Sequence, residues 1–128
     1  MKIIFYFLII IFTFSCSQKD KKETHPNLIY FDSEFIAELG DENYDTHEAK
    51  LSSKIKAKYI YKTIYISKEI NANACGKYTG DIEIKKDSII LIYRLISDEV
   101  CTSTSIDNVT YIIKNTEEKK YHFGLRYE

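Results

Sequence analysis

Cysteine, histidine, serine and carboxylate side chains are where chemistry would start in this chain. It has three cysteines, Cys16, Cys75 and Cys101, and three histidines, His25, His47 and His122. Two thiols can close a disulfide, stay free or share a metal. No histidine stands at ligand spacing from a cysteine, so no metal site and no cofactor are expected. Ser52-Ser53 and the Thr-Ser-Thr-Ser run at 102–105 lack the Gly-x-Ser-x-Gly setting of an activated nucleophile. The adjacent acids Asp41-Glu42, Asp98-Glu99 and Glu117-Glu118 fall at turn-like positions, where carboxylates stay solvated. Neither a Gly-rich phosphate loop nor a basic–aromatic nucleic-acid motif is present. No catalytic residue is nominated. A small hydrolase, the enzyme alternative, would need a histidine such as His122 to meet a carboxylate in a cleft.

Phenols are the other chemical resource, with 11 tyrosines against no tryptophan. Tyr59, Tyr61 and Tyr65 alternate along one strand-like run and are expected on one face. Tyrosines there would offer area and a polar tip to a glycan or a protein. The plainer reading is that these rings wall the core and reach water only with their hydroxyls.

Elements that place these residues begin with the leader. Lys2 is the only charge before Lys19, and residues 3–14 are apolar except for Thr13 and the Tyr6 hydroxyl. A basic start, about twelve mostly apolar residues and a small residue before the cut read as a secretory signal. The run is short of the roughly 20 residues that a membrane span needs. Thr13-Phe14-Ser15-Cys16 resembles a bacterial lipobox, with Ser15 as the small residue and Cys16 as the acceptor. That resemblance implies cleavage after residue 15 and a lipid on Cys16, the membrane anchor. Ser17-Gln18-Lys19-Asp20 and the charged residues after it resemble the post-cysteine segment of lipoproteins exported by Bacteroidota-type bacteria. The implied location is the cell envelope, on the outer membrane, at its periplasmic face or the cell surface. Residues 16–27 then form a tether, whose eleven residues after Cys16 reach at most about 36–40 Å when extended. Residues 28–128 are expected to be one domain.

An exported chain meets an oxidising compartment, so with Cys16 acylated the even pair Cys75 and Cys101 is read as a disulfide. The hairpin pattern agrees. Around a Lys86-Asp87 turn, paired positions sum to 173, and the two cysteines sum to 176. They lie nearly opposite each other at the open end of the hairpin.

Removing 15 of 128 residues takes only Lys2 from 18 basic and 19 acidic residues, leaving a net charge of −2. No bulk charge argues for nucleic acid or an anionic membrane surface. Local charge is sharply segregated, however. Residues 32–48 hold seven acids and no lysine or arginine, and residues 50–68 hold six lysines and no acid. Side-by-side packing that neutralises both is the favoured expectation, with a two-signed binding surface as the alternative.

The fold class is expected to be mainly β, an antiparallel meander of about five strands in a sandwich or partial barrel, with one or two short N-terminal helices. Residues 28–31 suggest an edge strand. A first helix is expected after a cap at Asp32 or Ser33, placing Phe35, Ile36 and Leu39 on one face with Gly40 as the stop. A second is expected over residues 46–54. Residues 55–70 form the longest β signal, with a bulge or bend near Lys62-Thr63. Residues 71–74 read as a loop and 78–96 as a hairpin. Its second strand is apolar on both faces and therefore central, with Arg94 in need of a partner. Strands at 109–114 and 119–127 follow. In the last, Tyr121, Phe123, Leu125 and Tyr127 alternate with His122, Gly124 and Arg126.

The expected role is non-catalytic binding of a protein, glycan or small ligand at the envelope. An inhibitor or immunity-type protein is the chief alternative, and an assembly subunit pairing through a strand edge is another. Asp87-Ser88-Ile89 resembles the O-glycosylation site of Bacteroidota-type exported proteins, which would place a sugar on Ser88. Asn108-Val109-Thr110 has N-glycosylation form, which carries little weight in a bacterial lipoprotein.

Overall fold

The structure, a computed structural model, describes residues 23–128. The signal segment, Cys16 and the tether up to residue 22 lie outside the described residues. His25 and Asn27, at the end of that tether, bond to the domain: the His25 N–H donates to Asp81 Oδ1 at 2.8 Å, and the Asn27 carbonyl accepts from Lys114.

Among the described residues, alternating β-branched and aromatic residues build a mainly β fold of seven strands and one short helix. The strands are β1 (Leu28–Glu38), β2 (Ala57–Ile60), β3 (Thr63–Asn73), β4 (Tyr78–Lys85), β5 (Ser88–Leu95), β6 (Thr104–Lys114) and β7 (His122–Tyr127). Helix α1 spans Tyr44–Leu51. One sheet has the order β1-β6-β3-β2, the other β4-β5-β7. They pack as a sandwich whose core takes Ile64, Ile66 and Ile70 from β3 and Val109, Tyr111 and Ile113 from β6. The facing sheet adds Ile82, Ile89 and Leu91. These positions alternate along each strand, as burial of one face requires.

The 78–96 hairpin forms in the expected register, from Tyr78↔Leu95 to Lys85↔Ser88. Cys75 and Cys101 are joined at its mouth, their Cα atoms 5.6 Å apart. Strand β5 is central, and Arg94 finds Asp81 at 3.2 Å and Glu128 at 2.6 Å. Burial of Asp81 works against its charge. Donors from His25 and Ile82, together with Arg94, outweigh that and hold its pKa below the ordinary range.

Four expectations need correction. Residues 33–39 are not helical, because β1 runs on to Glu38 and Leu39 lies in the turn that follows. Register shifts between Leu28 and Tyr30 and between Phe35 and Ala37 break its alternation, which makes Phe35, Ile36 and Leu39 look helically spaced. The 55–70 run does not bend near Lys62 but reverses, with Tyr61 at φ 53° in the turn, giving β2 and β3. Residues 71–73, read as loop, extend β3. The meander is broken by β6, which inserts between β1 and β3, and by β7, which pairs parallel to β5, Ser88↔His122 through Tyr93↔Tyr127. The 115–121 connection carries the chain from the end of β6 to the end where β5 begins, so β7 must run the same way as β5.

Phe31 ties β1 to the other sheet. Its ring meets Tyr111 edge-on at 5.0 Å and covers Gly80, where an added Cβ would lie 2.0 Å from the ring. Gly80→Ala should therefore cost about 1–3 kcal/mol through overpacking, read as a lower urea midpoint with an unchanged slope.

Candidate binding site

Three adjacent strands each place a tyrosine at the same end of one face. Tyr93 of β5 stands opposite Tyr127 of β7 in the parallel ladder, and Tyr78 of β4 lies diagonally across the hairpin. The rings of Tyr93 and Tyr127 are 5.2 Å apart and those of Tyr78 and Tyr93 6.0 Å, both tilted. Asn71 and Asn73 from the end of β3, with Thr104 from β6, complete a cleft of about 330 Å³. Among the described residues β2 pairs with β3 only over residues 63–66, so no strand flanks β3 beside the cleft.

Inside the cleft the polar groups divide into used and unused. The Tyr78 hydroxyl accepts from the Asn73 N–H at 2.7 Å. The Asn73 side chain is spent on the disulfide: its Oδ1 accepts from the Cys75 and Cys101 N–H groups, and its Nδ2 donates to the Cys101 carbonyl. Hydroxyls of Tyr93 and Tyr127 make no hydrogen bond among the described residues. Burial, with the neighbouring phenols adding to it, pushes the Tyr93 pKa up. Burial does the same for Tyr78, although the Asn73 donor pulls the other way. Both phenols therefore stay neutral at physiological pH. Tilted rings beside amides and neutral hydroxyls form a surface for a polar ring with an apolar face.

The nominated tyrosines are not together on one face. Tyr59 pairs with buried Ile64 and packs on the core; its hydroxyl accepts from the Tyr121 N–H, and Lys120 Nζ sits 3.6 Å over its ring. Tyr61 is 83% exposed in the turn. These two line a separate cleft with Lys120 and Glu118. Tyr65, opposite Lys58 and Ile112, faces outward on the other side of the sheet. The reversal at Tyr61 separates them. Ser88 opens β5, half-buried between Lys85 and His122. Asn108, within β6, accepts from the Ser67 hydroxyl at 2.7 Å.

Histidine and carboxylate do converge, but at His47 rather than His122. His47 Nδ1 lies 3.0 Å from Glu69 Oε1, and Lys50 Nζ lies 3.6 Å from the same oxygen. Ser33 and Ser105 spend their hydroxyls on Asp107, at 3.0 and 2.9 Å. Among the described residues no group of three or more His, Cys, Asp or Glu is placed to hold a metal.

Side-by-side neutralisation of the two charge blocks does not take the form of direct ion pairs. Among the described residues no ion pair joins an acid of 32–48 to a lysine of 50–68. By register, Asp32, Thr110 and Ser67 share the outer face with Tyr30, Ile112, Tyr65 and Lys58. Asp32 thus stands at its β1 edge and Lys58 at its β2 edge.

Buried Lys68 is the exception among the lysines. Its Nζ donates to the carbonyls of Lys50, Leu51 and Ser53 and to the Ser53 hydroxyl, at 2.8 to 3.1 Å. It supplies the donors that the last turn of α1 lacks, where the helix dipole also favours a cation. Burial pulls its pKa down, with Glu69 pulling the other way. Lys68→Met should strand those carbonyls and lower stability by about 1–3 kcal/mol, measured by urea unfolding.

No protein-family model, curated protein or solved structure matches this chain.

Proposed function

We propose that this protein is a lipid-anchored binding module of the bacterial cell envelope, and that the cleft of Tyr78, Tyr93 and Tyr127 holds a glycan. The tyrosine cleft is the observation that carries this reading. A sugar presents C–H groups on one face and hydroxyls around its rim. Tilted phenols can pack against the first, while the unused Tyr93 and Tyr127 hydroxyls and Asn71 answer the second. The volume sits at the lower end of ligand sites, about 300–1,000 Å³, which suits one or two sugar rings. Residues 13–16 supply the anchor in this reading, and the outer membrane its place.

Without tryptophan, the protein's emission comes from its 11 tyrosines, and Tyr78, Tyr93 and Tyr127 among them line the cleft. A glycan array followed by fluorescence titration of the full chain in detergent should find a ligand that Tyr127→Ala weakens about tenfold or more. Tyr127 is 55% exposed, so its removal spares the fold. An array with no ligand, or unchanged affinity in Tyr127→Ala, overturns the glycan reading. Cys16→Ala should move the protein out of the membrane pellet; an unchanged pellet fraction overturns the anchor.

A further inference from the structure

An apolar row crosses the outer face of the first sheet, away from α1, which packs on Ala37 and Ile106. Tyr30 of β1, Ile112 of β6, Tyr65 of β3 and Lys58 of β2 stand side by side in register. Toward the end of the sandwich Ile60 joins the same face beside Thr63 and Lys114, and the turn that follows presents Tyr61 and Lys62. Tyr30, Ile60 and Tyr61 are exposed, and Tyr65 and Ile112 are half-buried. The next row inward is polar, with Asp32, Thr110 and Ser67, so the apolar surface is confined to this end. Contiguous exposed apolar surface rimmed by charge marks a docking face.

Two observations say what covers it. The first is charge. Among the described residues Lys58, Lys62 and Lys114 form no ion pair. Asp87, Glu117 and Glu118 at this end are matched by Lys86, Lys119 and Lys120, so the excess is positive. The second is the path of the chain. The Asn27 carbonyl accepts from the Lys114 N–H, and the Lys62 carbonyl accepts from the Asn115 N–H. The tether therefore joins the domain at the end that carries the Tyr61 turn. Residues 17–24 link Cys16 to His25 and span at most about 26–29 Å. The tyrosine cleft lies at the opposite end, where β3 finishes and β6 begins. We propose that the Tyr61 end of the first sheet docks on the anionic phospholipid surface of the membrane that holds the anchor, with the tyrosine cleft turned away from it. Headgroup phosphates meet the lysines, and Ile60 and the tyrosine rings enter the interfacial layer, where tyrosine is favoured. The proposal rests on the lipid anchor and is independent of what the cleft binds. Docking is weak by itself and holds because the tether keeps the face close to the bilayer, so the Cys16→Ala chain still leaves the membrane pellet.

Hydrogen–deuterium exchange of the full lipidated chain tests this. It is measured on vesicles of equal parts phosphatidylcholine and phosphatidylglycerol, on vesicles of phosphatidylcholine alone, and in detergent. Exchange over residues 58–63 should be about tenfold slower on the anionic vesicles than in detergent. Salt should reverse the slowing, and residues 71–76, at the cleft end, should exchange alike in all three. Ile60→Ser/Tyr61→Asn should abolish the slowing and leave the pellet fraction unchanged. Both side chains are exposed, and asparagine suits the φ of 53° at position 61, so the turn survives. A pelleted chain whose residues 58–63 exchange as fast on anionic vesicles as in detergent overturns the docking and leaves the anchor standing. A chain absent from the pellet overturns both. Equal slowing on the two kinds of vesicle would show that anionic lipid is not read. Slowing in detergent that grows with protein concentration would give the face to a second copy instead.

Discussion

Replacing Tyr111 with Ala lowers the unfolding free energy by about 3–5 kcal/mol, the range for emptying a large aromatic site. Tyr111 is fully buried in the middle of β6, between Phe31 of β1 and Ile66 of β3. Its hydroxyl crosses the sandwich to donate to the Ile92 carbonyl of β5 at 2.7 Å. One side chain thus supplies both core volume and a polar link between sheets. Tyr111→Phe separates the two. It keeps the ring and its edge-on contact with Phe31 and loses only the hydrogen bond, worth about 0.5–1.5 kcal/mol net. If Phe costs as much as Ala, the hydroxyl rather than the packing holds the sheets together, and this account of the core is wrong. The pH dependence gives a second readout. Burial pushes the Tyr111 pKa up from its ordinary 10.0. Its contribution is therefore fully present below pH 10.0 and is lost as pH rises toward the folded value, because the unfolded chain releases the proton first. Tyr78 and Tyr93 shift in the same direction. Tyr111→Phe should thus flatten the alkaline loss of stability in part.

Local signals in the sequence were legible, and long-range ones were not. The β4–β5 hairpin could be read because an alternating strand and a strand apolar on both faces flank the Lys86-Asp87 turn, and that register alone places the cysteines nearly opposite each other. Strand β1 could not, since two register shifts in 11 residues erase the period of two. The turn between β2 and β3 carries no Gly, Asn or Asp; Tyr61 and Lys62 make it, with Tyr61 at positive φ. A non-glycine residue in that region is uncommon, so the run looked like one long strand and its tyrosines like one face. Four residues of β2 are too few to announce a strand by pattern.

The candidate site shows the same division. Pairing positions that sum to 173 sets Tyr93 diagonal to Tyr78, so two of its three rings were within reach of the sequence. The third, Tyr127, arrives only because β7 turns parallel to β5, a choice made by the route of residues 115–121 across the end of the sandwich. A lysine-lined cleft beside Lys68 needs α1, β3 and the 52–56 stretch brought together. Composition announced its ingredients as a block of lysines without acids, and only the fold brings Glu69 among them.

Replacing Cys75 and Cys101 together with Ser should lower stability by about 3.5 kcal/mol, with a range of 2–5 kcal/mol for small exported domains. The bridge closes a loop with a sequence separation of 26, and in the chain-entropy model that loop restricts the unfolded chain by about this amount. Asn73 makes the prediction discriminating. It holds both half-cystines by three hydrogen bonds, so the native geometry at the hairpin mouth is specified even when the thiols are reduced. The double-Ser variant should therefore keep the native fold, seen as unchanged far-ultraviolet circular dichroism, and unfold at lower urea. Asn73→Ala, with the bridge intact, should cost less, about 1–3 kcal/mol for unpartnered backbone groups. The mouth also sits beside the tyrosine cleft, which Asn73 lines. Glycan affinity then tells the two roles apart. If the bridge acts on the unfolded chain, the double-Ser variant binds as the parent does under folding conditions, while Asn73→Ala removes a side chain that lines the cleft and weakens binding. Equal loss of binding in both would instead make the disulfide part of the site's geometry.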